Sequence, residues 1–372
     1  MRARIDPLTG IRGFAAGWVV LLHVHLLFAL PALPVLDRLI DGGNLGVDLF
    51  FMLSGFVISY TYLDRLRAPR EPGAVRTYLW LRVARVYPVH LVMLLVVAVL
   101  VAAMTAAGSP PTNGRQFSGV SFVMNVLMLQ AVPPALAWND PAWSISTEFA
   151  AYLAFPLLVP LLVRLRRRAV LALIGVLLGA GMVALWLILW HGESWAFWSG
   201  YALMWTRIVV CFPIGCLLYL LWRDQPAEGR RRLSRVLLPV SLAGVVAACF
   251  LAPSAGAVTL PVLAYPFLAA LLFALASGDS GPARLLSTRP AIWCGKVSYS
   301  VYLVHFPLIL VMRTVAERLG LFSSVAGTIA VVAATLAGTV VAGGILYHFV
   351  EEPSRRLLRR LAEQRAMRSR GA

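Results

Sequence analysis

Residues 10–25 read GIRGFAAGWVVLLHVH, an apolar run with a basic residue near its start and two histidines near its end. The run is long enough to enter a membrane as a helix, since a helix needs about 20 apolar residues to cross a hydrocarbon core of roughly 30 Å. Arg12 stands at its beginning and His23 lies deep inside it. Ionisable side chains are costly in hydrocarbon, so an imidazole at this depth indicates a functional site.

The whole chain shares this apolar character. Of its 372 residues, 60% are hydrophobic and 13% are charged, and the mean hydropathy is +0.80. This composition excludes a water-soluble globular protein. No polar stretch is long enough for a separate soluble domain. The sequence predicts an all-α integral membrane protein with a single membrane domain over residues 1–352 and a basic cytoplasmic tail over residues 353–372.

About ten apolar runs are long enough to be transmembrane helices. The predicted spans are 13–30, 45–63, 88–106, 141–163, 169–190, 203–222, 236–252, 259–277, 293–312 and 324–349. Residues 118–131 are also apolar but only about 14 residues long, which is too short for a crossing. We therefore expect a short re-entrant or interfacial helix there.

The basic residues give an orientation for these spans. With both termini in the cytoplasm, the inner segments hold 28 of the 33 Lys and Arg residues. The positive-inside rule predicts this asymmetry. The remaining five are Arg38, Arg115, Arg207, Arg313 and Arg318. The net charge of +17 then reflects orientation and attraction to anionic membrane lipids, so no nucleic acid partner is needed. We expect a multi-pass protein of a bacterial cytoplasmic membrane.

Polar groups inside four predicted spans fall at one depth. Arg12 and His23 are 11 residues apart, so a helix places them on nearly one face, about 16 Å apart along its axis. Asp48, Glu148 and His305 come out near the level of His23, in the outer half of the membrane. The pattern predicts that four helices line one cavity. The same spans carry further candidate substrate contacts, namely Ser54, Trp143, Ser144, Tyr302 and His305, although His305 also fits a structural hydrogen bond between helices.

The predicted cytoplasmic mouth is basic. Arg82 and Arg85 are helix neighbours at i and i+3, and Arg12 lies at the same side of the membrane. Guanidinium groups suit a ligand with several phosphates that arrives from the cytosol. The alternative is that these arginines only set the membrane orientation.

Six strings along the chain resemble the motifs of the membrane acyltransferase 3 family. They occur in the family's order and run from Arg12 to Pro353, and each alone would be weak. The strings are RGFAAGWVVLLH at 12–23, GVDLFFMLSGF at 46–56, RVARVYP at 82–88, WSISTEFAAYLAFP at 143–156, VSYSVYLVHFP at 297–307 and FVEEP at 349–353.

The resemblance implies a ten-helix enzyme that moves an acyl group, usually acetyl, from cytoplasmic acyl-CoA to a hydroxyl, most often on a carbohydrate. The family's functional residues fall here on Arg12, His23, Asp48, Ser54, Arg82, Arg85, Glu148, His305 and Glu351. Some members add a soluble esterase-like domain at the C-terminus, and we expect none in this protein.

This chemistry agrees with the residue pattern. A neutral imidazole can remove the proton of an acceptor hydroxyl, so His23 is the candidate general base. Asp48 or Glu148 would orient it and stabilise the imidazolium. Arg12, Arg82 and Arg85 would bind the phosphates of acyl-CoA, which is a co-substrate, and no permanently bound cofactor or metal is expected. Direct transfer needs fewer assumptions than an acyl-enzyme on Ser54 or Ser144.

Two questions stay open at the level of sequence. Polysaccharide, lipid-linked glycan and glycosylated small molecules all suit a hydroxyl-acceptor site. A proton-coupled transporter or exporter of a polysaccharide or small glycoside is the alternative function, since intramembrane His, Asp and Glu residues also relay protons. The sequence shows no inverted repeat of the kind that many transporters have.

Overall fold

A computed structural model describes residues 4–28, 30, 33–67, 73–111, 113–191, 196–252, 261–278 and 280–368. Over these residues the chain forms α-helices, short 3-10 turns and one π-helical turn, with no β-strand, so the all-α prediction is confirmed. The helices are α1 Asp6–Phe28, α2 Pro34–Asp41, α3 Leu45–Arg67, α4 Ala74–Ala106, α5 Gly119–Val126, α6 Trp143–Leu162, α7 Arg167–His191, α8 Ala196–Asp224, α9 Ala227–Leu251, α10 Tyr265–Ser277, α11 Gly281–Leu286, α12 Arg289–Arg318, α13 Val325–Leu346 and α14 Glu352–Arg368.

Nine helical segments in the described part of the chain are long and apolar enough to cross a membrane. They coincide with nine of the predicted spans, so a multi-pass membrane protein is confirmed. The remaining predicted span, 259–277, contains the shorter helical stretch Val262–Ser277, and its first residues lie outside the described part. The cytoplasmic placement of both termini stays a prediction.

The helix in the predicted span 259–277 is apolar and enclosed by protein. Helix α10 has 13 residues, about 20 Å of helix, which is less than a hydrocarbon core. Leu268, Leu272 and Ala274 on it are fully buried, and α10 packs against α8 and α9. A helix enclosed by protein is as hydrophobic as one that faces lipid, since both lack water-facing sides.

The third predicted span is part of a longer helix. Helix α4 runs from Ala74 to Ala106 and passes through Pro88 without ending, whereas the sequence placed the start of the span at Pro88. Proline is tolerated inside membrane helices when neighbouring groups satisfy the freed carbonyl. Arg82 and Arg85 therefore lie on the same rigid helix as the span that follows them.

The apolar segment at residues 118–131 forms the short helix α5. Its first turn is capped by Ser118, whose side chain accepts a hydrogen bond of 3.2 Å from the Ser121 amide. The helix ends at Val126, and eight residues span only about 12 Å. His90 and Asn125 join α4 to α5 through a 2.8 Å contact between the His90 Nε2 and the Asn125 carbonyl. The prediction of a helix too short to cross is thus confirmed.

The chain divides into two compact units, each made of two stretches of sequence. The first unit comprises Met1–Leu63 and Val159–Ser298, and the second comprises Asp64–Leu158 and Tyr299–Ala372. The single domain predicted over residues 1–352, with a separate tail from residue 353, stays a prediction. Residues 369–372 of that tail lie outside the described residues.

Small residues bring helices of the first unit into close contact. A side chain on Gly55 of α3 would meet the Phe212 carbonyl of α8, and one on Gly215 of α8 would meet the Met52 carbonyl of α3. Gly10 of α1 approaches the backbone of Leu286 in the same way. Small residues that allow such backbone approach are the usual means of packing helices in membranes.

In the second unit, α13 passes into α14 through a π-helical turn. The turn covers Tyr347–Glu351 and places the Glu351 side chain inside the unit, with 1% of its surface exposed. Helix α14 is held on α4 by a 2.8 Å hydrogen bond from the Trp80 indole to the Leu358 carbonyl. π-helical turns inside α-helices occur frequently at functional sites.

Candidate active site

His23 is held by its own helix. Its Nδ1 lies 2.9 Å from the carbonyl oxygen of Val19, one turn earlier on α1. A carbonyl oxygen only accepts, so Nδ1 carries the proton and Nε2 is the basic nitrogen of the neutral ring. The side chain is half-buried. The helix backbone thus favours this tautomer, and the orientation of His23 by Asp48 or Glu148 stays a prediction.

Arg12 and His23 lie on one uninterrupted helix, as predicted. Helix α1 covers Asp6–Phe28 with no break, so the spacing of about 16 Å along its axis holds. The guanidinium carbon of Arg12 lies 5.6 Å from the ring centre of Phe50 on α3. His25, two residues beyond His23, lies 3.8 Å from Asp37 and 3.7 Å from Asp41 on α2.

Asp48 is fully buried in a cluster that the sequence did not predict. Its carboxylate accepts hydrogen bonds from Nε and Nη2 of Arg207 at 2.9 and 3.0 Å. The hydroxyl of Tyr265 donates a third at 2.8 Å, and Sγ of Cys211 lies 3.8 Å away. Ser54, one and a half turns further along α3, is also buried.

The two arginines of the RVARVYP string are held in different ways. The guanidinium carbon of Arg82 lies 5.9 Å from the ring centre of Tyr78 and 5.7 Å from that of Tyr152. The Tyr152 hydroxyl donates a hydrogen bond of 2.6 Å to Glu148. Ring faces attract a guanidinium through its charge, so the two tyrosines help to hold Arg82 in place.

Arg85 is instead paired with a carboxylate. Its Nη1 donates to Glu351, the buried residue of the π-helical turn. Glu351 also accepts a 2.7 Å hydrogen bond from Ser300, and the Tyr299 ring centre lies 5.6 Å from the Arg85 guanidinium carbon. The Tyr299 hydroxyl donates a 2.6 Å hydrogen bond to the Val86 carbonyl, which fixes the ring beside Arg85.

Ser144, Tyr302 and His305 are brought together, as their predicted common role requires. The hydroxyls of Ser144 and Tyr302 lie 2.8 Å apart, close enough for a hydrogen bond between them. Each hydroxyl also lies within hydrogen-bond distance of the Pro141 carbonyl, at 2.9 Å for Ser144 and 3.0 Å for Tyr302. His305 is fully buried, and its Nδ1 lies 2.6 Å from the Tyr302 carbonyl. Trp143 is half-buried and is the first residue of α6, the helix that also carries Ser144. Asn139 joins this group by a 2.8 Å hydrogen bond to the Leu303 carbonyl.

The predicted site residues thus divide between the two units. The first unit contains Arg12, His23, Asp48 and Ser54, and the second contains Arg82, Arg85, Trp143, Ser144, Glu148, Tyr302 and His305. Their convergence on one cavity, and their separate roles, stay predictions. Among the described residues, no group of three or more His, Cys, Asp or Glu side chains is arranged to hold a metal ion.

Sequence reasoning missed Arg207, Tyr265, Tyr78 and Tyr299. Arg207 carried a usable signal, because it is an arginine inside a predicted span and does not follow the positive-inside pattern. The three tyrosines carried none, since a tyrosine in a membrane helix is ordinary until its neighbours are known.

A family model and similar known proteins both indicate acyltransferases. A family model described as an acyltransferase domain matches residues 5–348. Acyltransferase MdmB of Streptomyces mycarofaciens is 29% identical over 388 residues, which cover 96% of this chain and 93% of that protein. No solved structure matches the chain significantly.

Two further relatives are longer proteins. The putative peptidoglycan O-acetyltransferase YrhL of Bacillus subtilis (strain 168) is 25% identical over 375 residues, or 94% of this chain and 55% of that protein. The peptidoglycan O-acetyltransferase OatA of Listeria monocytogenes is 24% identical over 336 residues, or 85% of this chain and 51% of that protein. The chain spans about half the length of each. Because the family model covers nearly all of its residues, the chain belongs to the acyltransferase 3 family of membrane proteins.

Proposed function

We propose that this protein is a cell-membrane O-acyltransferase that moves an acetyl or related acyl group from cytoplasmic acyl-CoA to a hydroxyl of a carbohydrate or glycosylated acceptor. The observation that carries the proposal is His23, whose Nδ1 lies 2.9 Å from the Val19 carbonyl, so that Nε2 is the basic nitrogen of the neutral ring. The family match over residues 5–348 supports the reaction class. The names of the two peptidoglycan O-acetyltransferases support a carbohydrate acceptor.

In the proposed reaction, His23 accepts one proton and then returns it. Nε2 removes the proton of the acceptor hydroxyl as its oxygen attacks the thioester carbonyl, and an O–C bond forms. The C–S bond then breaks, and the CoA sulfur leaves with the proton that the imidazolium returns. General base catalysis of this kind contributes about 10²- to 10⁴-fold to the rate.

The donor would be bound through its phosphates by Arg12, Arg82 and Arg85. Two of these arginines lie beside aromatic rings, Arg12 beside Phe50 and Arg82 beside Tyr78 and Tyr152, which attract the guanidinium charge. Arg85 has Glu351 as a carboxylate partner, so a phosphate there would share its donors with that residue. Planar guanidinium groups are suited to phosphate because they donate two parallel hydrogen bonds.

The acceptor would be bound by polar groups at the other predicted end of the site. Ser144, Tyr302 and His305 already form one hydrogen-bonded group, and Trp143 begins the same helix as Ser144. Paired hydroxyls and an indole are typical contacts for a sugar, which has both polar edges and an apolar face. Ser54 of α3 is a further proposed contact, and Asp48 and Glu148 are the proposed carboxylates of the site.

Membrane vesicles from cells that make the protein test this proposal. Vesicles are supplied with radiolabelled acetyl-CoA and with envelope glycans and secreted glycosides from the same cells. We expect acetyl-CoA-dependent label in a glycan or glycoside, lost in His23→Ala and retained in His25→Ala, which removes the neighbouring imidazole. Movement of an unmodified glycoside across the membrane, without consumption of acetyl-CoA, would instead establish a transporter and overturn the proposal.

A further inference from the structure

The Asp48 cluster connects three helices of the first unit. Asp48 lies on α3, Arg207 on α8 and Tyr265 at the first position of α10. All three residues are at most 3% exposed. A buried ion pair adds little net stability compared with apolar residues of the same volume, because both charges lose their hydration. A cluster of this kind is better explained by the geometry that it imposes.

Arg207 also contacts the backbone just before α3. Its Nη2 donates to the Asn44 carbonyl at 2.7 Å as well as to Asp48. Asn44 is the last residue of the 3-10 turn Gly42–Asn44, which leads directly into α3. One guanidinium group thus fixes both the turn and the first turn of the helix. A lysine could not do this, since its ammonium lacks the rigid fork of donors.

This fixed segment is the surface against which α1 packs. A side chain on Gly43 would meet the Trp18 carbonyl at 2.5 Å and Cβ of Leu22 at 2.8 Å. One on Gly46 would meet the Ala15 carbonyl at 2.7 Å and Cγ2 of Val19 at 2.9 Å. The packed stretch of α1 is therefore Ala15–Leu22, which ends directly before His23.

The contacts then reach the imidazole itself. Val19, which packs on Gly46, supplies the carbonyl that accepts the hydrogen bond from His23 Nδ1. Gly43 and Gly46 together form what we call the glycine surface. The route from Arg207 to His23 passes through Asn44, the glycine surface and the turn of α1 that contains Val19. The steps are hydrogen bonds, the peptide chain between Asn44 and the two glycines, and close contacts of those glycines with α1, all within one compact unit.

We propose that Arg207 and Tyr265 are positioning residues for His23, acting through Asp48, the turn Gly42–Asn44 and the glycine surface that holds α1. This inference rests on the proposed function, since it assumes that His23 is the base. It gives Asp48 a role in placing α1 that does not require contact with the imidazole. Neither Arg207 nor Tyr265 touches the reacting atoms in this account.

The test uses two conservative variants of the full-length protein in lipid nanodiscs. Tyr265→Phe removes one hydroxyl. Arg207→Lys keeps the positive charge but lacks the planar set of N–H donors that contacts both Asp48 and Asn44. We expect kcat for acetyl transfer to fall about 10- to 100-fold, the cost of displacing a catalytic group by a fraction of an ångström to 1 Å, with KM for acetyl-CoA within about twofold of wild type. Cys216→Ala is the matched control, since it changes another buried side chain of α8 outside the cluster.

A double-mutant cycle with His23→Ala distinguishes positioning from a general loss of structure. If Arg207 acts through His23, Arg207→Lys lowers the residual rate of His23→Ala by less than about twofold, because there is no imidazole left to place. If Arg207→Lys lowers the rate of the His23→Ala protein by the same 10- to 100-fold as in wild type, the inference is overturned. A wild-type kcat in both conservative variants also overturns it.

Two outcomes separate this inference from the proposed function. If His23→Ala itself transfers acetyl groups at the wild-type rate, the proposed function fails whatever the Arg207 variants do. If the conservative variants do not fold, Arg207→Met combined with Asp48→Leu replaces both charges with apolar side chains of similar size. That double variant is expected to fold as well as wild type and to lose kcat, and a folded double variant with wild-type kcat contradicts the inference.

Discussion

The hydroxyl of Tyr152 donates a 2.6 Å hydrogen bond to Glu148, and the face of the same ring lies 5.7 Å from the guanidinium carbon of Arg82. One side chain therefore connects a proposed site carboxylate with a proposed phosphate-binding arginine. Tyr78 supplies the second ring at Arg82 and donates a 3.1 Å hydrogen bond to the Tyr152 carbonyl. The arginine is thus held by two rings whose positions depend on each other.

Replacing Tyr152 separates the two contacts. Tyr152→Phe keeps the ring face beside Arg82, so KM for acetyl-CoA is expected to stay within about twofold of wild type. Tyr152→Leu removes the face, and KM is expected to rise about two- to fivefold, the value of an exposed to half-buried cation–π contact. Steady-state kinetics with varied acetyl-CoA measure both. An equal KM for the two variants would show that the ring does not hold Arg82.

The ion pair of Arg85 and Glu351 predicts unequal effects on stability. Glu351 has 1% of its side chain exposed and Arg85 has 20%. Arg85→Ala leaves a buried carboxylate short of its main partner, at a cost of about 3–5 kcal/mol. Glu351→Gln leaves an arginine that still reaches solvent and so costs less. Thermal unfolding, followed by size-exclusion chromatography, measures the stability of both variants. A larger loss of stability in Glu351→Gln than in Arg85→Ala would contradict the view that Glu351 is the more buried partner of the ion pair.

The contact between α3 and α8 predicts that Gly55 cannot be replaced. The added methyl group of Gly55→Ala would press on the backbone carbonyl of Phe212, which cannot move without shifting α8. Overpacking of this kind costs about 1–3 kcal/mol or more. Gly175→Ala is the control, since no atom lies within 4 Å of its Cβ position. The yield of monodisperse protein should fall only for Gly55→Ala, and equal yields would show a looser contact.

The pair of Ser144 and Tyr302 predicts a change in acceptor binding. Tyr302→Phe removes the hydroxyl that lies 2.8 Å from Ser144 and 3.0 Å from the Pro141 carbonyl. Loss of about 1 kcal/mol of hydrogen bonding should raise KM for the acceptor about fivefold and leave KM for acetyl-CoA unchanged. Thr314→Val removes an exposed hydroxyl from the same helix, α12, and should change neither constant. A rise in KM for acetyl-CoA alone would place Tyr302 at the donor.

Hydrophobic run length predicted nine spans that the structure confirms, and it misplaced the start of the third, because α4 continues through Pro88. Crossing of the membrane by the predicted span 259–277 stays a prediction, since residues 259 and 260 lie outside the described part of the chain. The placement of Arg12 and His23 on one helix followed directly from helical geometry and is confirmed by the continuous α1.

Partners distant in sequence could not be predicted. Arg207 and Asp48 are joined across 159 positions, and nothing local to either residue identifies the other. The same holds for Tyr78 and Tyr152 around Arg82, which come from different helices. The tautomer of His23 was within reach of sequence reasoning, because a histidine side chain can always turn back to a carbonyl of the preceding helical turn.

The central claim is that Nε2 of His23 removes the proton of the acceptor. His23→Asn tests it most directly, since the asparagine amide can replace Nδ1 as donor to the Val19 carbonyl but has no basic nitrogen in place of Nε2. Single-turnover acetyl transfer by this variant in nanodiscs is expected to be about 10²- to 10⁴-fold slower than wild type, with acetyl-CoA affinity unchanged. A rate within about threefold of wild type would contradict the account.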